Sequence, residues 1–270
     1  MAVLWRRADR SHAVVLPTLR GAGLVVPLCA LVLWQTAADH GLVPHYVVAP
    51  SKIAANLWSM LASGELLMHA GASLWRAFSG FAIGSVLGIL VGLAAGVNPK
   101  VESFWEPLVS LTYPVPKIAL LPIIFAWFGL GDTSKIAVIS CSVAYPSYVA
   151  AFYGAKSVNR LHVWSARNMG ADRVRVFLRV VVPSALPQIF SGLRIGLGLS
   201  FIVMVASELV TAQSGLGYLI GAAEDSQNYT IMYVAFVAIG TIGFTADRLL
   251  LALRRMVLLG QTLRFDQGRP

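Results

Sequence analysis

An all-α, polytopic membrane protein with six transmembrane helices is the fold class this sequence predicts, on three observations. Of its 270 residues, 57% are hydrophobic and only 12% charged, and the mean hydropathy is +0.72. Soluble domains run nearer roughly 45–50% apolar and about 25% charged. Apolar runs of spanning length, about 20 residues, recur along the chain. Finally, Lys and Arg gather in alternate connections, as they do in loops on the cytoplasmic side. The net charge of +9 is that bias summed, and no nucleic-acid partner is needed to explain it, since nucleic-acid binders lack serial apolar runs of this length. Membrane lipid is the expected surrounding. Cys29 and Cys141 both lie inside apolar runs and read as small buried hydrophobes, so neither a disulfide nor a metal site is expected.

The elements follow in order. The lead MAVLWRRADRSHAVVLPTLR, residues 1–20, is too long and polar for an ordinary signal peptide. The run after it, Gly21–Ala38, therefore reads as a retained anchor. Pro50-Ser51 starts a short helix on the outer face, with Ile53, Leu57 and Leu61 at helical spacing. Span two, Ala77–Val97, carries Gly80, Gly84, Gly88, Gly92 and Gly96, one every four residues. Such a ridge lets a neighbouring backbone come close, so the stripe predicts a helix–helix seam. Gly192 and Gly196 in span five invite the same reading. Span three, Phe104–Phe128, holds Glu106, Lys117 and four prolines; Pro114, Pro116 and Pro122 predict a break or kink. Span four is Ile136–Ala155, span five Gln188–Ser207 and span six Tyr229–Ala246. The stretch GLGYLIGAAEDSQNY before span six suggests a second short helix. No internal repeat, low-complexity linker or soluble domain is visible.

Orientation comes from the cations. With the N-terminus inside, the inner parts hold Arg6, Arg7, Arg10 and Arg20, then Lys100, then Lys156, Arg160, Arg167, Arg173, Arg175 and Arg179 in one loop. Arg254, Arg255, Arg264 and Arg269 close the chain. The outer parts keep Lys52 and the interfacial Arg76 and Lys135, and residues 211–228 contain no Lys or Arg. Both termini are therefore expected in the cytoplasm.

Two polar residues stand out near the apolar runs. Lys117, beside the predicted break, is a candidate for the translocation pathway of an anion; the alternative is a lysine that snorkels to an interface or pairs locally. Glu208 closes span five, where it is either hydrated, an outer gate, or a brace for the bend that follows. Arg194, about two turns into the inner half, is expected to snorkel.

The densest charge lies in GADRVRVFLRVVVPSALP, residues 170–187, with Asp172, Arg173, Arg175 and Arg179 ahead of two prolines. Upstream, Asn159 can cap a short helix over Arg160–Met169, and Gly170 can end it in a left-handed turn. Asp172 can cap a second helix through Val182, after which Pro183 and Pro187 redirect the chain. On physical grounds alone, a partner-binding helix, a basic surface loop and a helix lying on anionic lipid stay equally open.

The residues carry a resemblance as well. The family pattern is Glu-Ala-Ala, three residues, Gly, nine residues, Ile-x-Leu-Pro. Here Gly170 is followed by nine residues and then Val180-Val181-Val182-Pro183. From about Ala49 to Leu253 the chain resembles permeases of binding-protein-dependent ATP-binding cassette importers, in the nitrate, sulfonate and taurine branch. The matching stretches are APSKIAANLW, PVPKIALLPIIFAWFGLG, RVVVPSALPQIFSGLRIGLGLS and SGLGYLI. The resemblance implies a type I importer permease (MetI-like) fold in a bacterial inner membrane. Residues 1–20 would be a cytoplasmic segment, 21–253 the six-span domain with its coupling loop at 156–187, and 254–270 a cytoplasmic tail. It implies two cytoplasmic ATPase subunits, which hold the ATP and Mg, a second permease copy, most simply identical, and an extracytoplasmic solute-binding protein. The ATPase-coupling residues would be Arg160, Leu161, Trp164, Ser165, Ala166, Arg167, Gly170 and Pro183. The substrate implied is a small anion such as a sulfonate, taurine or nitrate. One departure matters: the family's acidic residue falls at Trp164 and its first alanine at Ser165, and only Ala166 agrees. Tryptophan would have to anchor by apolar burial.

Two rivals are weighed against this. An enzyme would need residues in place: His12, His40, His45, His69 and His162 lie outside the predicted apolar cores, and no His-Glu-x-x-His motif occurs. The chain also has no Gly-Lys dipeptide, which the phosphate-binding loop requires. No catalytic residue and no bound cofactor are expected in this chain. A self-contained secondary transporter or channel using Glu208 and Lys117 is the stronger rival.

Overall fold

The computed structural model describes residues 22–266, and side chains over 25–258. The N-terminal segment 1–20, with Arg6, Arg7, Arg10 and Arg20, lies outside the described residues, as do Arg269 and the side chain of Arg264. Every regular element among the described residues is helical. The chain divides into two compact units, 1–52 and 53–270.

In the first unit, α1 spans Ala22–Asp39, matching the first apolar run. Its 18 residues cover about 27 Å, a little under a hydrocarbon core of about 30 Å. Gln35 holds the start of the next helix: its Oε1 accepts from the Ser51 amide at 2.9 Å and its Nε2 donates to Ser51 Oγ at 3.0 Å.

The second unit is built on three long helices. α2, Pro50–Ala62, is the expected short helix, and it buries Ile53 and Met60, seven residues apart. Leu61, expected on the same face, is exposed. α3 runs over Glu65–Val97, twelve residues earlier than the predicted span, because the stretch Glu65–Arg76 has no helix breaker. α4, Pro99–Thr112, is N-capped by Asn98 through Lys100 N–H. A 3₁₀ turn, Lys117–Leu120, leads into α5, Leu121–Phe128. α4 and α5 meet at 90°, so the predicted break is real. It falls at Pro114 and Pro116, whereas Pro122 sits in the first turn of α5, where its missing N–H costs nothing.

α6, Asp132–Lys156, is central. The glycine ridge of α3 lies against it: a Cβ added at Gly84 would fall inside van der Waals contact with the Ser140 carbonyl, and at Gly88 with that of Ala144. Only hydrogen at these positions lets the two backbones approach so closely. Gly192 meets Ala150 and the Pro146 carbonyl in the same manner, seating α9 on the other side of α6. Val138, Ile139, Val143, Leu197, Phe201 and Met204 fill the space between them.

After α6 come α7, Arg160–Asn168, and α8, Arg173–Val176, which continues through a π turn, Phe177–Val181, into α9, Val182–Thr211. Pro183 and Pro187 thus do not redirect the chain; Arg173–Thr211 is one rod of 39 residues. The π turn explains why. The Val182 amide reaches back to the Phe177 carbonyl, and the extra residue opens room for the Pro183 ring where a regular turn would clash. α10, Leu216–Asp225, is the second short helix, and α11 runs Tyr229–Asp266. The helix therefore continues past Leu253 into the segment expected as a tail, 254–270, as far as Asp266.

By length and composition four helices among the described residues can cross a membrane, and the bent α4–α5 pair makes five; with the shorter α1, the six expected spans are compatible with this count. Two further readings change. Cys29 and Cys141 are exposed on the chain rather than buried, since apolar runs in lipid need not face the protein. Arg194 does not simply snorkel: it forms a two-pronged pair with Asp247 of α11, at 2.6 and 3.1 Å.

Candidate functional site

Helices α3, α6 and α9 share one bundle whose two ends differ in chemistry. At the end where α6 stops, the Ser157 hydroxyl donates to the Gly154 carbonyl and the chain turns into α7. Asn159 caps α7, its side-chain oxygen accepting from Leu161 N–H at 2.9 Å. At the other end of α7, the amides of Gly170 and Ala171 return to the carbonyls of Arg167 and Ala166 at 2.9 and 3.0 Å. That closure requires φ of +82° at Gly170, the left-handed region where glycine alone is unstrained. Asp172 then caps α8 through Arg175 N–H at 2.8 Å. All three local expectations hold.

The backbone of this loop is thus self-satisfied, and its side chains are not. Val163 and Ala166, three apart, are half-buried toward the fold. Leu161 and Trp164 point outward, 60% and 56% exposed, with Arg160, Ser165 and Arg167 exposed beside them. The structure therefore gathers five of the expected coupling residues on one surface of α7. Ala166 faces inward, Gly170 forms the hinge, and Pro183 belongs to the rod behind.

At the opposite end, charges are buried. Glu208 is 1% exposed and Arg76 4%, and the Arg76 guanidinium donates to Glu208 Oε1 at 2.6 Å. The same guanidinium donates to Asp132 Oδ1 at 2.7 Å and to the Ser214 carbonyl at 2.6 Å. Ser73 donates to the Glu208 carboxylate at 2.8 Å and accepts from Leu216 N–H at 2.8 Å. Gly217 N–H supplies the other carboxylate oxygen at 2.9 Å. Gly215 N–H donates to His69 Nδ1 at 3.0 Å, which requires that nitrogen to be unprotonated. Gly215 itself has φ of +122° and packs on the carboxylate. Glu208 is therefore neither hydrated nor open to a passing solute. It pins residues 214–217 back onto α3, the bracing role among the three alternatives.

Lys117 sits elsewhere. Its ammonium donates to the carbonyls of Thr112 and Val115, the latter at 3.0 Å, so it caps the carbonyls freed by its own break. The two pathway candidates thus have separate partners. In the sequence Arg76 reads only as interfacial, and Ser73 and Asp132 are not singled out, because no local pattern links them to Glu208.

With that geometry in place, comparison with known proteins is informative. The family model described as binding-protein-dependent transport system inner membrane component matches residues 84–258. The taurine transport system permease protein TauC of Escherichia coli (strain K12) is 34% identical over 231 residues, covering 83% of this chain and 84% of that one. The putative aliphatic sulfonates transport permease protein SsuC of the same organism is 32% identical, covering 85% and 88%. The bicarbonate transport system permease protein CmpB of Synechococcus elongatus is 30% identical, covering 69% and 68%. Among solved structures, an inward-facing form of the MetNI methionine transporter aligns with a TM-score of 0.62 at 20% identity, over 71% of this chain and 95% of that one.

Proposed function

The chain belongs to the binding-protein-dependent transport system inner membrane components, and from that premise we propose that it forms the transmembrane path of an importer for a small sulfonate-type anion. A binding protein delivers the solute to the far-end surface, and two ATPase subunits drive the cycle from the α7 end, holding the ATP and Mg that power it. Two permease copies, one on each ATPase, complete the assembly. The α7 end faces the cytoplasm in this reading, in keeping with the cations Lys156 to Arg179 that flank it. The substrate class is suggested by the taurine and sulfonate relatives.

The observation that carries the proposal is the capped helix α7, complete in its backbone bonds yet presenting Leu161 and Trp164 to solvent. An amphipathic helix that leaves a tryptophan out of its own fold is built for a partner's groove. Trp164, standing where the family carries an acidic residue, anchors by burying its ring. Gly170 lets the chain leave the groove, and the rod Arg173–Thr211 transmits the displacement along the bundle as a rigid-body movement. Glu208 acts as a structural brace in this scheme. No observation favours the self-contained carrier, because Glu208 is consumed by Arg76, Ser73 and Gly217 in the brace.

The test is reconstitution. Co-expressed with a binding-protein-dependent importer ATPase encoded beside its gene and with the matching binding protein, the chain should co-purify with the ATPase and take up taurine only when ATP is supplied. Uptake by the permease alone, driven by an ion gradient, would refute the proposal.

A further inference from the structure

The break between α4 and α5 is a polar place that neither the α7 surface nor the far-end brace uses. Tyr113, the residue that ends α4, stacks on Tyr145 of α6 with ring centroids 4.6 Å apart. Tyr145 lies near the midpoint of α6, so the break sits about 17–20 Å from either end of that helix at 1.5 Å per residue. In a spanning α6 this is close to the bilayer midplane. Cys141 lies one turn from Tyr145 on the same helix and is exposed.

Charge at this depth needs compensation, and Lys117 has little. Two of its three donors go to the Thr112 and Val115 carbonyls. The four ion pairs among the described residues do not include it. The carbonyl end of α4 offsets about half a unit charge, so net positive charge remains at the break. Tyr113 is 61% exposed and Lys117 half-buried, so the place is open on one side. An interrupted helix is tolerated at membrane depth where it lines a cavity, and such interruptions hold ions in transporters.

We propose that the helix break carrying Lys117, walled by Tyr113 and Tyr145, is the mid-membrane contact site for the transported oxyanion. The ammonium supplies the charge and its free donor, and the phenol hydroxyls supply further donors for sulfonate-type oxygens. Release is possible because the α4 carbonyls keep part of the ammonium's charge when the anion leaves. The inference rests on the importer reading above.

Cys141 allows a direct test. With Cys29→Ser it is the only cysteine of the chain. The assembled complex in vesicles is treated with sulfonatoethyl methanethiosulfonate, whose tail is an ethanesulfonate, and in parallel with the trimethylammonium analogue. The anionic reagent should modify Cys141 about tenfold faster, excess taurine should slow it, and the preference should vanish in Lys117→Met and persist in Lys117→Arg. Equal rates, a Cys141 inert to both reagents, or a preference that survives Lys117→Met overturns the site. Co-purification of the ATPase with the Cys29→Ser chain and its ATP hydrolysis are read separately. Their loss counts against the importer reading, and their retention without a labelling preference counts against this site alone.

Discussion

At one end of the α3–α6–α9 bundle, Trp164 stands 56% exposed on a helix whose backbone is already capped; at the other, Glu208 is 1% exposed with three donor groups on its carboxylate, from Ser73, Arg76 and Gly217. Both ends are rich in charge. The α7 end spreads its arginines in solvent and leaves apolar side chains outside, so its stability is local and its surface is unspent. The far end draws its arginine inside and engages four of its five N–H groups, so its interactions are consumed in holding α3, α6, α9 and the 212–217 turn together. The contrast separates a surface left exposed, which the proposed function assigns to a partner, from a joint that serves the fold.

Four substitutions break or sharpen that contrast. The largest effect is expected from Glu208→Ala, which leaves the Arg76 guanidinium buried without its closest partner; such losses run to about 3–5 kcal/mol. Thermal unfolding in detergent should show a sharply lower apparent Tm. The double variant Arg76→Met/Glu208→Leu should regain much of it, and a single variant no less stable than the double would contradict the joint. Next, Trp164→Ala should leave Tm unchanged and weaken ATPase binding by about 2 kcal/mol or more, the range of an interface anchor. Titration calorimetry or pull-down strength reads this, and an unaltered complex removes Trp164 as the anchor. Gly84→Ala acts on the seam connecting the two ends. Forcing α3 from α6 should cost about 1–3 kcal/mol of overpacking, lowering Tm and ATP-coupled uptake together. A drop in only one of them would mean that the ends are not joined through this seam. The smallest effect belongs to Asn159→Ala, about 1 kcal/mol for a lost cap. It should appear as faster amide exchange in α7 with the global Tm almost unmoved.

Legibility in the sequence follows the same division. Asn159, Gly170 and Asp172 were readable because a cap or a left-handed turn involves residues two to five positions apart. The four-residue glycine ridge announced a seam, though not that α6 would be its partner. The broken third span was readable from its prolines. The proline rule misjudged Pro183 and Pro187, because a π turn of five residues absorbs what a regular helix would not tolerate. Nothing local announced the joint: Arg76 looked interfacial and Glu208 looked terminal, since their partners are 132 positions apart. Asp247, the partner of Arg194, was missed for the same reason.

From the order of its amino acids alone this chain determined its membrane character, its helical segments and the self-capped shape of α7, because hydropathy and capping act between near neighbours. The three-dimensional packing alone decided which charges are buried, that Glu208 braces a turn, and that Tyr113 at the helix break stacks on Tyr145 midway along α6. Those outcomes depend on which helices lie side by side, and contacts between distant positions leave no periodic mark in a single sequence.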